Sequence, residues 1–103
     1  MTTDKTTYHL DQELQFKKSE MVMFQELDGE TVLLNLVDES YYTLNESRTL
    51  IWTLLDKSTS TRDAYLAFQK NYDLDDPTAS TDFNALIEDL TKNQFGILEK
   101  KSP

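Results

Sequence analysis

With a single histidine, His9, and no cysteine, this chain has few groups that could do chemistry. Transition-metal sites need three or four Cys, His or carboxylate ligands, so one imidazole in a polar segment makes a poor one. Asp73, Asp75 and Asp76 begin like a calcium loop, but the glycine at loop position six and the glutamate at position twelve are missing. They read instead as a turn, with Asp76 capping a helix and Pro77 at its first position. Glycine occurs only at 29 and 96, which excludes a glycine-rich phosphate cradle. Serine and threonine are plentiful, yet no His or Lys stands where it would activate one as a nucleophile. The expectation is no catalytic residue, no metal and no cofactor.

What the chain does offer is aromatic and apolar surface at one abrupt junction. Tyr41-Tyr42-Thr43-Leu44 is extended in character, Asn45 is a good helix N-cap, and from Glu46 the apolar period changes from two to about 3.6. Leu50, Ile51, Leu54 and Leu55 form the stripe of that helix, about residues 46–56, with Trp52 beside it. A helical Trp in such a stripe belongs to the core, and its indole N–H then needs an acceptor. Strand, cap and helix follow without a loop, so the junction is rigid.

Charge narrows the partners. Ten basic residues against nineteen acidic ones leave a formal charge of −9, which repels nucleic-acid phosphates and anionic membranes. No apolar run approaches the roughly 20 residues that span a bilayer, and Met1–Lys5 lacks a signal-peptide character. A soluble, cytoplasmic protein is expected, binding neither nucleic acid nor membrane.

The elements around the junction follow from periodicity. Residues 1–18 are polar and read as a flexible tail. Met21–Leu27 reads as a strand, Asp28-Gly29 as a hairpin turn, and Glu30–Val37 as a second strand. In that second strand Val32, Leu34 and Leu36 lie on one face and Leu33, Asn35 and Val37 on the other. Asp38-Glu39-Ser40 turns the chain into the third strand, Tyr41–Leu44. After the first helix, the Ser58–Thr61 cluster offers caps for a second with Ala64, Tyr65, Phe68 and Tyr72 inward. A third helix runs from Pro77 to about Asn93 with Phe83, Leu86, Ile87 and Leu90 inward. Phe95, Ile97 and Leu98 close the core, ahead of a short tail at 100–103. A three-stranded antiparallel sheet followed by three helices is an α+β layout within one domain, residues 19–99.

These residues resemble the PqqD-like family, also called precursor peptide recognition elements. The resemblance runs from Glu30 to Leu98 and rests on the Asp28-Gly29 hairpin, Tyr41-Tyr42-Thr43-Leu44-Asn45-Glu46-Ser47, Ile51-Trp52 with Leu54-Leu55-Asp56, and Tyr72-Asp73-Leu74-Asp75 before a capped third helix. It implies a winged helix-turn-helix fold and a non-catalytic adaptor. Such an adaptor binds the leader region of a ribosomally made precursor peptide and delivers it to a radical-SAM enzyme or a lasso-peptide leader peptidase. In the family the leader adds a strand to the third β-strand and lies against helix three. Mapped here, the peptide-binding residues are Tyr41, Tyr42, Thr43 and Leu44 on the strand and Asp82, Phe83, Leu86, Asp89 and Leu90 on the helix. Family members commonly place a glycine just after helix three. Here Gly96 comes late, and Asn93 is the expected left-handed terminator.

Physics points to the same strand. An edge strand presents unpaired N–H and C=O groups that an added strand can satisfy, so side-chain pockets must supply specificity. Tyr42 and Leu44 are expected to face the core, with Tyr41 and Thr43 nearer the ligand. Asp82, Glu88 and Asp89 are available to basic residues of a leader, or form a solvated face. The competing functions are a structural accessory subunit of a larger enzyme, and a winged-helix DNA reader. The latter is disfavoured because the third helix sets Asp82, Glu88 and Asp89 against Lys92 alone.

Overall fold

A computed structural model describes residues 12–72 and 76–100. Strands β1 (Leu14–Lys18), β2 (Val22–Leu27), β3 (Glu30–Asn35) and β4 (Tyr41–Leu44) precede helices α1 (Glu46–Lys57), α2 (Thr61–Tyr72) and α3 (Asp76–Lys92), and β5 (Gly96–Lys100) comes last. The order β2-β3-β4 makes one antiparallel meander, and β1 pairs antiparallel with β5 in a separate two-stranded sheet. The fold is α+β.

Local chemistry sets most boundaries. Asp28 and Gly29 have φ of 54° and 83°, and Leu27 pairs with Glu30 across them. Two left-handed residues in a two-residue loop match the twist of the flanking strands. Asn45 Oδ1 accepts the Arg48 N–H at 2.9 Å, so a single capping residue joins β4 to α1. Of the Ser58–Thr61 cluster, Ser60 caps α2, its Oγ accepting the Asp63 N–H at 3.1 Å. The Asp73–Asp75 turn and His9 lie outside the described residues, as does the side chain of Asp76.

The tail expected through residue 18 ends sooner. Leu14–Lys18 is a strand whose register runs from Leu14 opposite Lys100 to Lys18 opposite Gly96. Phe16 is 5% exposed and meets Trp52 edge-on, with ring centroids 6.2 Å apart. Its partner strand is about eighty positions downstream, so no local pattern reveals the pairing. The same contact explains the late glycine: a Cβ at Gly96 would overlap the Phe16 ring and lie 2.7 Å from the Lys17 carbonyl oxygen. Gly96→Ala is expected to cost about 1–3 kcal/mol in urea unfolding, as overpacked sites do. An unchanged midpoint would mean β1 is not seated there.

The core gathers Leu33 and Leu44 from the meander, Ile51, Trp52 and Leu55 from α1, and the inner faces of α2 and α3. The α1 stripe is rotated toward Trp52, leaving Leu50 and Leu54 half-buried. Tyr72 is exposed at the end of α2 against Phe68, and Ile97 is exposed on β5 while Phe95 is buried. The Trp52 indole does not find the acceptor expected for it: Nε1 has no hydrogen-bond partner among the described protein groups. Its ring instead packs against the edges of Phe16 and Phe24, with Lys18 Nζ 4.6 Å from its centre.

Which face of β3 points inward is decided against hydrophobicity. Thr31, Leu33 and Asn35 are 1% exposed or less, whereas Val32 and Leu36 are 40% and 44% exposed. The polar pair is held by partners from distant elements. Thr49 Oγ1 on α1 donates to Thr31 Oγ1 at 3.0 Å. Asn35 Nδ2 donates to the Gln94 carbonyl at 3.2 Å, beyond the end of α3, and its Oδ1 accepts the Val37 N–H at 2.9 Å. Buried polar groups satisfied in this way stabilise a unique packing.

Candidate functional site

β4 is hydrogen-bonded to β3 on one side and forms the edge of the meander. Among the described residues, its register shows which backbone groups have no partner strand. The Asn35 N–H donates to the Ser40 carbonyl at 2.9 Å, and Leu33 stands opposite Tyr42 and Thr31 opposite Leu44. Ladder bonds in an antiparallel pair fall on alternate residues, so Tyr42 and Leu44 bond to β3. Tyr41 and Thr43 therefore turn their N–H and C=O toward the open edge. Their side chains are exposed on the outer face of the sheet, Tyr41 at 71%.

Tyr42 and Leu44 point inward. Leu44 is fully buried, while the half-buried Tyr42 ring tilts against Phe95 at 5.9 Å. The Tyr42 hydroxyl donates to Asp89 Oδ2 at 2.7 Å and accepts from Arg48 Nη1 at 2.7 Å. Arg48 Nη1 also lies 3.6 Å from Asp89 Oδ2, so this cluster fastens β4 to both α1 and α3. Burial pushes the Tyr42 phenol above its ordinary pKa and the Asp89 hydrogen bond adds to the effect, with Arg48 opposing. The phenol is thus held protonated, as a donor to Asp89.

On α3 the residues expected to bind peptide divide in two. Asp82 and Asp89 are half-exposed on one flank, seven residues and so about 10 Å apart. Phe83, Leu86 and Leu90 are fully buried. In this conformation those three, and Leu44, cannot touch a ligand; they seat the helix and strand behind it. A small domain has one core, and the stripe at 83, 86, 87 and 90 is spent on it.

The end of α3 departs from expectation by one residue. Gln94, not Asn93, takes the left-handed conformation, with φ 66°. The Phe95 N–H returns to the Leu90 carbonyl at 2.8 Å and the Gln94 N–H to the Thr91 carbonyl at 3.2 Å, a Schellman closure with Phe95 and Leu90 in apolar contact positions. Asn93 instead donates from Nδ2 to the Asp89 carbonyl at 2.8 Å. Sequence reasoning missed Arg48 and Asn35. A signal for Arg48 existed, because it is the only basic residue between Lys18 and Lys57.

Among the described residues there is no His, Cys, Asp or Glu cluster fit to hold a metal, and no helix long and apolar enough to cross a membrane. The site can bind an extended chain at the β4 edge; its groups offer hydrogen bonds and charge.

Comparison with known proteins agrees with the sequence resemblance. Residues 30–95 match the family model for coenzyme PQQ synthesis protein D, PqqD. Among solved structures, TbiB1 in complex with the TbiA(beta) leader peptide is 28% identical with a TM-score of 0.71, over 84% of this chain and 99% of that one. A lasso peptide synthetase B1 complexed with a leader peptide is 24% identical with a TM-score of 0.71, over 81% of this chain and 98% of that one, and shares the fold. No curated protein matches the sequence.

Proposed function

Because the chain belongs to the PqqD family, by its match over residues 30–95, we propose that it is a non-catalytic adaptor for a ribosomally made precursor peptide. It binds the leader region by β-strand addition at β4 and delivers the peptide to a modifying enzyme, a radical-SAM protein or a leader peptidase, in the cytoplasm. The observation that carries this reading is the open edge at Tyr41 and Thr43, whose backbone groups face away from β3. A related chain, TbiB1, is described with a leader peptide bound. In this reading the fold is a winged helix-turn-helix whose wing, the β2-β3-β4 meander, takes up peptide. DNA is repelled by the same acidic surface that accepts basic leader residues.

Tyr41, Tyr42, Thr43, Asp82 and Asp89 meet the leader directly, and Leu44, Phe83, Leu86 and Leu90 support them from the core. Backbone pairing is indifferent to sequence, so selectivity comes from the Tyr42 ring and the two aspartates. Titration calorimetry with the cognate leader is expected to give a saturable one-to-one isotherm. Ordering the leader costs roughly 2–5 kcal/mol of the gross interaction, which holds the affinity to the nanomolar-to-micromolar range. For a basic leader the affinity falls as salt rises. A flat titration would refute the adaptor.

A further inference from the structure

We propose that the outer face of the β2-β3-β4 meander is the docking surface for the modifying enzyme, which meets it with an apolar centre ringed by lysine and arginine. This rests on the adaptor reading above and names the second surface that such an adaptor needs.

The first argument is the inverted sheet. A strand with one buried face normally commits its more apolar alternation to the core. β3 does the opposite, burying Thr31 and Asn35 beside Leu33 and turning Val32 and Leu34 outward, with Leu36 exposed just beyond the strand. By register, Met23 stands opposite Leu34, which stands opposite Tyr41, and Gln25 opposite Val32, so the three strands pool their apolar side chains on one face. Met23 and Tyr41 are 58% and 71% exposed there. Val32 and Leu34 join them around a shallow depression of about 340 Å³, while Phe24, opposite Leu33, turns its ring to Trp52 on the inner face. Contiguous exposed apolar surface with polar edges marks interaction sites in soluble proteins.

The second argument is charge. Residues 19–47, the whole meander and its turns, carry seven acidic residues and no lysine or arginine. Asp28 and Glu30 stand at the hairpin end, and Glu20, Asp38 and Glu39 at the other. The flanking cations are engaged elsewhere, Lys18 with Asp56 and the Trp52 ring, Arg48 with Tyr42 and Asp89. An apolar centre with an exclusively acidic rim complements a basic-rimmed protein surface. A second copy would oppose acid to acid, each chain bearing −9.

The third argument is continuity. A leader strand added to β4 extends this same sheet, so its outward side chains join the patch beside Tyr41. The enzyme then reads adaptor and leader as one surface.

The test uses the leader-loaded protein and the purified enzyme that modifies the cognate precursor. Met23→Lys with Val32→Lys, checked by circular dichroism, is expected to weaken enzyme association at least about tenfold, as for charges placed in an interface centre. Leader affinity should fall clearly less than enzyme association does, because neither residue supplies the open backbone groups of the β4 edge, although Val32 stands opposite Thr43. Met23→Ala and Glu30→Lys serve as milder variants of centre and rim, the latter flattening the salt dependence of enzyme association. Enzyme association unchanged in all of these while leader binding persists would overturn the surface. Sedimentation showing a dimer that the same substitutions dissolve would overturn the choice of occupant. Loss of leader binding in the wild-type protein would instead refute the adaptor reading on which the surface depends.

Discussion

Proline at Tyr41 or Thr43 is expected to weaken leader binding about five- to hundredfold in a folded protein, whereas proline at Tyr42 is expected to cost the fold itself. The register separates the two cases. Tyr41 and Thr43 aim their N–H at the open edge, so proline there removes a donor that only an added strand uses. A leader carbonyl left unpaired when it is desolvated on binding costs about 1–3 kcal/mol, which sets the range in affinity. Tyr41 is the cleaner position, being the first residue of β4, where proline is best tolerated. Tyr41→Ala and Thr43→Ala report the side chains' share. Tyr42 bonds to β3 and its hydroxyl joins β4 to Arg48 and Asp89, so Tyr42→Pro breaks both and should lose about 3 kcal/mol or more in urea unfolding. Full leader affinity in folded Tyr41→Pro and Thr43→Pro proteins would place the leader elsewhere.

Asn35→Ala is expected to destabilise the protein by about 2–4 kcal/mol and to weaken leader binding as a consequence. Asn35 is 1% exposed, and its amide serves the Val37 N–H and the Gln94 carbonyl, with Asn93 O more distant at 3.4 Å. Removing it takes the side-chain partner from two part-buried backbone groups and leaves a void where a fully buried amide sat, which together account for the loss. The functional effect follows from position. Gln94 is five residues beyond Asp89, so Asn35 holds the end of α3 that carries the Tyr42–Asp89 contact. Asn35→Asp keeps the acceptor but turns a carboxylate on two carbonyls, and should be no less damaging. Unfolding in urea with a wild-type midpoint for Asn35→Ala would show that this amide does not anchor the helix.

A substantial part of the fold is legible in local sequence because its causes are local. The left-handed turn at Asp28-Gly29, the Asn45 cap, the bounds of β4 and the buried stripe at 83, 86, 87 and 90 each depend on dihedral preference, capping or period within a few residues. The family resemblance rests on the same stretches, and the PqqD match begins at the same residue, Glu30.

Tertiary structure decided what depends on partners far along the chain. Leu14–Lys18 becomes a strand because β5 supplies its ladder and Trp52 receives Phe16. β3 turns its polar alternation inward because Thr49 and the carbonyls at the end of α3 need Thr31 and Asn35. Phe83, Leu86 and Leu90 fill the core, because one small core absorbs the whole stripe. Asp89 joins Tyr42 and Arg48 across three elements, a convergence that spacing within any one of them cannot express. Periodicity shows that a strand has two faces and a helix one apolar stripe; the hydrogen bonds and volume waiting on the other side determine which face is buried and which remains for a partner.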